Sequence, residues 1–270
     1  MTQSSATQHK CYTVALGESS FGRASAKQQS SGRNNFPKNV KLITTTRFFN
    51  ENNRSCLIAD GYDNFNLALH VGDNAIKVKN NRALLISKYN LPCEPKYLEQ
   101  IHSNICLQAS SDDCVGDAVV TQEKGVVCAV MTADCLPIFA CNQSGTQVGV
   151  AHAGWKGIVN GVIESFIQQF ESNDLLAHFG PAISPAAFEV GADVYQQFID
   201  KDTKLDQAFI AKGSKYQLDI YQAARIILND LGVQSISGGD ECTYTQKDKY
   251  FSYRRDGAQS GRMAHLIWIE

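Results

Sequence analysis

The sequence has no apolar run long enough to cross a bilayer; stretches such as "GVVCAVMTA" reach about half the required length. Its N-terminus, "MTQSSATQHKCYTVALGESS", has no basic region followed by an apolar one, so a cytoplasmic location and no membrane partner are expected. Excess charge is also missing. A formal net charge of -2 over 270 residues gives no field for gathering a polyanion, and no nucleic-acid partner is expected. There is no Cys-x-x-Cys pair, which argues against a structural zinc ribbon. The nine cysteines are odd in number and irregularly spaced, and Cys106, Cys128 and Cys141 sit inside apolar runs. Reduced, buried thiols suit them better than a disulfide framework.

What is present is the composition of one soluble globular domain, 43% hydrophobic and 19% charged. Residues 1–38 are rich in Ser, Gln, Asn and Gly and too poor in apolar positions to repay the entropy of ordering, so they are expected to form a flexible extension. The folded domain is expected over 39–270. Strand patterns occur at "NVKLITTTRFF", "LEQIHSNICLQA" (98–109) and "GVVCAVMTA" (125–133), and again at "AHFGPAI", "VQSIS" and "MAHLIWIE". Helical spacing links Ile158, Val162, Ile163, Phe166, Ile167 and Phe170, and recurs in "GADVYQQFID" and "DIYQAARIILNDLG". Interleaved strands and helices predict an α/β fold, a three-layer α/β/α sandwich with a mixed sheet.

The densest chemistry lies in "TADCLPIFACNQSGTQVGVAHAGWKG". Asn142, Gln143, Ser144 and Gly145 are turn residues between two β-type segments. A turn centred between Gln143 and Ser144 sets Cys135 directly opposite His152, where a thiolate and an imidazole can share a metal or exchange a proton. Asp134, one residue earlier, points to the other face and is expected to make a structural hydrogen bond. "HAGWKG" joins a strand end to a helix start through two glycines, a place for an anion such as phosphate. Six histidines compete for a third ligand position. His9 is in the tail, His178 and His265 alternate with apolar residues in core strands, and His70 lies in "LALHVGD". His102, flanked by Gln100 and Ser103, is the strongest candidate. One sulfur, two nitrogens and an open position would be the pattern of a catalytic zinc site.

Taken in order, "FNLALHVGDN", "NNRALL", "EQIHSN", "GDAVVT", "TADCLPI", "AHAGWKG", "GPAISPAAFEVG", "DECTY" and "FSYRRDG...GRMAHLIWI" resemble the multicopper polyphenol oxidase (laccase-like) proteins. That family is also described as purine nucleoside phosphorylases and is related to the bacterial peptidoglycan editing factor. The resemblance covers the chain from about Val40 onward and implies a metal held by His102, Cys135 and His152, with zinc expected and copper as the alternative. It implies phosphorolysis of adenosine, inosine, guanosine and methylthioadenosine and deamination of adenosine, with nucleoside and phosphate as partners and a monomer or homodimer as the assembly. Arg47, in the matching Thr-Thr-Arg segment, becomes the candidate phosphate holder, and Asn66, Gln100, Tyr253 and Arg254 become candidate pocket residues. Lys156 replaces the family's usual arginine, keeping the charge without the bidentate fork. The loop "FFNENNRSCLIADGYDN" replaces a glycine-rich one.

Three other functions compete. A multicopper oxidase needs a histidine-rich cluster, and six histidines with no His-x-His pair argue against one. A cysteine hydrolase editing peptidoglycan precursors would use Cys135 as nucleophile and His152 as base. A non-catalytic adaptor would bind nucleoside or a protein without turnover.

Overall fold

A computed structural model describes residues 35–49, 62 and 64–270. Most of the expected extension, with His9, and most of the loop that follows Arg47 lie outside the described residues. The centre is a six-stranded mixed sheet in the order β11 (Ser235–Gly238), β7 (Leu175–Phe179), β5 (Leu136–Asn142), β6 (Val148–Ala153), β3 (Ala118–Thr121) and β2 (Cys106–Gln108). Its outer pairs, β11 with β7 and β2 with β3, are parallel, and the inner pairs are antiparallel.

Alternation sorts the central strands onto two faces. Ala118, Val120, Leu136, Ile138, Ala140, Ala151 and Ala153 pack against α2 (Trp155–Asn160), α3 (Val162–Ile167), α4 (Ala192–Lys201) and α5 (Ile220–Asp230). Val119, Phe139, Cys141, Val148 and Val150 face a second, antiparallel sheet of β1 (Val40–Thr44), β12 (Met263–Ile269) and β4 (Cys128–Thr132). On the far side of that sheet, Leu266, Trp268, Ala129 and Met131 join Leu85 of α1 (Ala75–Tyr89) in a further apolar cluster. The expected α/β class, mixed sheet and single domain hold, and the β layer of the sandwich is itself double. A small sheet of β8 (Glu189–Val190), β10 (Lys215–Leu218) and β9 (Phe209–Lys212) and the one-turn helix α6 (Tyr253–Asp256) complete the elements used below.

Two expected elements are divided. The helix read from Ile158 to Phe170 breaks at Gly161, whose φ of 93° ends α2 and starts α3. Residues 98–109 hold only β2, so His102 and Gln100 belong to a loop and not to a strand. No helix among the described residues is long and apolar enough to cross a membrane.

Candidate metal centre

The site is built where the chain changes sheets. β4 belongs to the three-stranded sheet and β5 to the six-stranded one, so the crossing falls within Ala133, Asp134 and Cys135. Asp134 makes the bend at φ 94°, a left-handed conformation that costs a non-glycine residue energy. Its carboxylate offsets that cost by accepting from the Thr243 hydroxyl at 2.6 Å and the Arg254 backbone N–H at 2.7 Å. The structural role expected for Asp134 is what the side chain performs.

Cys135 does not pair with His152. Pro137 is opposite His152, and the ladder is displaced by two residues from the expected register. A two-residue displacement preserves the side-chain face, so Cys135 and His152 still point the same way. His102 arrives from its loop at φ 59°, its N–H donating to Asp117 Oδ1 at 3.1 Å and its carbonyl accepting from the Asn160 amide at 3.1 Å.

The three residues converge, with one donor atom of each lying within 4.8 Å of the others. Cys135 Sγ is 3.8 Å from His102 Nε2, and the two imidazole centroids are 4.7 Å apart. Ordinary zinc bond lengths in a tetrahedron place sulfur and nitrogen about 3.6 Å apart, so the donor set fits such an ion with little movement. Gly154 makes the convergence sterically feasible. A Cβ there would meet His102 Cδ2 at 2.7 Å and Cys135 Sγ at 3.0 Å. The first glycine of "HAGWKG" is therefore a packing requirement of the cluster, and the helix after it is six residues long.

Asp117, fully buried, stands behind two of the three donors. Its Oδ1 accepts from His152 Nδ1 at 2.8 Å and from the His102 backbone; its Oδ2 accepts from the Ser103 N–H at 2.6 Å and hydroxyl at 2.7 Å. This contact holds the proton on His152 Nδ1 and leaves Nε2 to face the cluster. Burial pushes Asp117 up, but the bonds from His152 and Ser103 bring it down to about 2. Burial also pushes the Cys135 thiol up, and the charge on His152 with hydrogen bonds from both imidazoles pulls it down to about 6. His152 moves the opposite way: burial lowers its pKa, and the Cys135 thiolate and Asp117 more than reverse that. By contrast, burial pushes the thiols of Cys106, Cys128 and Cys141 well up. Of the three thiols singled out inside apolar runs, Cys128 and Cys141 are fully buried and Cys106 is partly buried.

Residues 48–270 match the family model described as multi-copper polyphenol oxidoreductase laccase. The chain belongs to that family. It is 48% identical over 238 residues to the purine nucleoside phosphorylase YfiH of Escherichia coli (strain K12), covering 86% of this chain and 95% of the relative. It is 46% identical over 244 residues to a purine nucleoside phosphorylase of Haemophilus influenzae, covering 87% and 97%. The crystal structure of Neisseria meningitidis protein NMB0706 superposes with a TM-score of 0.82 at 40% identity, covering 90% of this chain and 100% of that one.

The family resemblance also nominated six substrate residues, and most have their polar groups engaged elsewhere. Arg47 is buried, its guanidinium against the Phe48 and Phe251 rings and its Nη1 donating to the Lys247 carbonyl. Asn66 is buried, donating to Asp73 and accepting from the Ala68 and Arg262 backbones. Gln100 spends its amide on both backbone groups of Met131. Arg254 donates to the Glu189 carbonyl at 3.1 Å and lies over the Phe188 ring. Lys156 is exposed in the first turn of α2, and Tyr253 is 54% exposed. Sequence reasoning did not single out Asp117 or Arg262. Each directly precedes a buried strand, in "GDAVVT" and "GRMAHL", and a charged residue in that position is the signal that was there to use.

Proposed function

We propose that the protein is a zinc-dependent purine nucleoside phosphorylase acting on adenosine, inosine, guanosine and methylthioadenosine in the cytoplasm, as a monomer or homodimer, and that it also deaminates adenosine. The observation that carries this reading is a thiolate and two imidazoles converging within 4.8 Å, in a family whose relatives carry that enzyme name. In phosphorolysis a phosphate oxygen bonds to the ribose C1′ as the C1′–N9 bond breaks; the bonding pair leaves with the purine, which takes up a proton. A metal held by His102, Cys135 and His152 would supply Lewis-acid polarisation at the site.

The chain's own groups do the rest. Asp117 fixes the His152 tautomer, Asp134 fixes the bend that delivers Cys135, and the exposed Tyr253 ring offers a face on which a purine can stack. Copper would bind the same donors, and among the described residues this is the one such group, which supports a single ion rather than a multicopper cluster.

Purified protein is expected to carry about one zinc per chain, to release free base from inosine or adenosine only when phosphate is present, and to deaminate adenosine without it. Chelation and Cys135→Ala should both abolish turnover. Metal-free protein with undiminished turnover would overturn the metal assignment and favour Cys135 as a nucleophile.

A further inference from the structure

Phosphorolysis needs a cation for the phosphate, and the three cationic residues first nominated do not provide it in this structure: Arg47 is buried between aromatic rings, Lys156 is exposed with Nζ over the Trp155 ring, and Arg254 is exposed over the Phe188 ring with Nη1 donating to the Ala187 and Glu189 carbonyls. Arg82 and Arg255 are also engaged, the first with the Leu67 carbonyl and the Tyr97 ring, the second with Asp256 and the Thr243 carbonyl.

Arg262 differs from all of these. Its backbone N–H donates to Asn66 Oδ1 at 3.0 Å, and Nη1 donates to the Ser260 and Gly261 carbonyls at 2.6 and 3.0 Å. Those bonds fix the side chain while Nε and Nη2 make no hydrogen bond with the described residues, and no carboxylate there pairs with it. The next residue, Met263, pairs with Thr132, so Arg262 stands beside the Ala133–Cys135 bend. The guanidinium lies over the exposed Tyr253 ring, 5.7 Å from its centroid. Burial works against its charge, and the Cys135 thiolate and then Asp134 do most to support it. A half-buried, pinned guanidinium with one free fork beside a cluster of metal donors is the arrangement that captures a tetrahedral oxyanion in bidentate fashion.

We propose that Arg262 binds the phosphate co-substrate through its Nε–Nη2 edge, next to the metal donors and above Tyr253. The identity of the anion rests on the phosphorolysis reading; the anion site itself rests on the geometry.

The test uses zinc-loaded full-length protein and two readouts: calorimetric titration with inorganic phosphate, and KM for phosphate and for inosine measured separately. Arg262→Gln should weaken phosphate binding and raise the phosphate KM by about 10- to 100-fold, with the inosine KM moving less than about threefold and zinc content unchanged. Arg262→Lys, which keeps the charge and loses the fork, should fall between the two and guards against a folding defect in the glutamine variant. Phosphate binding that ignores both substitutions, or the two KM values rising in parallel, would overturn the proposal. If wild-type protein turns over no nucleoside but binds phosphate in an Arg262-dependent way, the phosphorolysis reading falls and the anion site stands. Phosphate-dependent nucleoside turnover with phosphate binding indifferent to Arg262 would do the opposite, removing the anion site and leaving phosphorolysis in place.

Discussion

Asp117 is the residue on which the donor cluster depends most. One carboxylate orients the His152 ring and also fixes the His102 backbone, and a third set of bonds ties it to Ser103. In Asp117→Asn the amide NH2 would face at least one of these N–H donors, so part of the arrangement must open. Metal affinity is expected to fall by about 10- to 100-fold, as for other losses of a carboxylate behind a metal-bound histidine. Competition against a chromophoric chelator measures it, and an affinity equal to wild type would remove Asp117 from this role. His102, Cys135 and His152 were legible because thiol and imidazole are few and chemically distinctive. Asp117 was not, because a carboxylate before a strand usually reads as a solvated end, and its value comes from contacts with residues 14 to 16 positions earlier in the chain and with His152, 35 positions later.

The hairpin formed by β5 and β6 shows what pattern reading at the level of elements can and cannot resolve. Both strands and the turn residues were visible, but the register depends on how many residues the turn holds. Asn142 N–H donates to the Gln147 carbonyl at 3.1 Å, which puts four residues in the connection where a two-residue turn was expected. Asn142 itself causes this. Its Oδ1 accepts from the Thr146 and Gln147 N–H groups at 2.9 and 3.1 Å, and its Nδ2 donates to the Thr146 hydroxyl at 2.8 Å. Asn142→Ala would leave two backbone donors without that acceptor, at an expected cost of about 1 to 3 kcal/mol in stability. Because Asn142 sits at the opposite end of the hairpin from Cys135 and His152, metal affinity should be unchanged. Denaturant unfolding paired with a zinc titration separates the two, and a wild-type midpoint would sink the assignment. Helix α1 escaped sequence reading for a related reason. Its buried face is Val78, Asn81 and Leu85, and the Asn81 amide donates to the Asn64 and Asn66 carbonyls, so a polar residue interrupts the apolar period.

At the scale of the molecule, the two stacked sheets must bury a histidine between them. His265 of β12 is fully buried and bridges its two neighbouring strands, with Nδ1 3.0 Å from the Thr44 hydroxyl and Nε2 2.8 Å from the Thr132 hydroxyl. The alternating apolar run "MAHLIWIE" made its core position legible, whereas the second sheet it belongs to depended on pairing the last strand with one that begins about 220 residues earlier, which no local pattern encodes. Burial, with a smaller contribution from the charge of His152, lowers its pKa to about 3. The sign follows directly. The folded protein keeps His265 neutral down to that pH, while the unfolded chain protonates it below about 6.5, so the unfolded state binds the extra proton in between. The stability this group contributes is therefore complete above about pH 6.5 and is lost as pH falls from there toward 3, by up to about 1.4 kcal/mol per pH unit. His265→Gln keeps a donor and an acceptor between the two threonines and has no proton to gain, so between pH 4 and 6 its stability should decline less steeply than wild type by about that amount. Equal slopes in parallel urea titrations of the two zinc-loaded proteins would show that the buried imidazole does not set the acid limit of the fold.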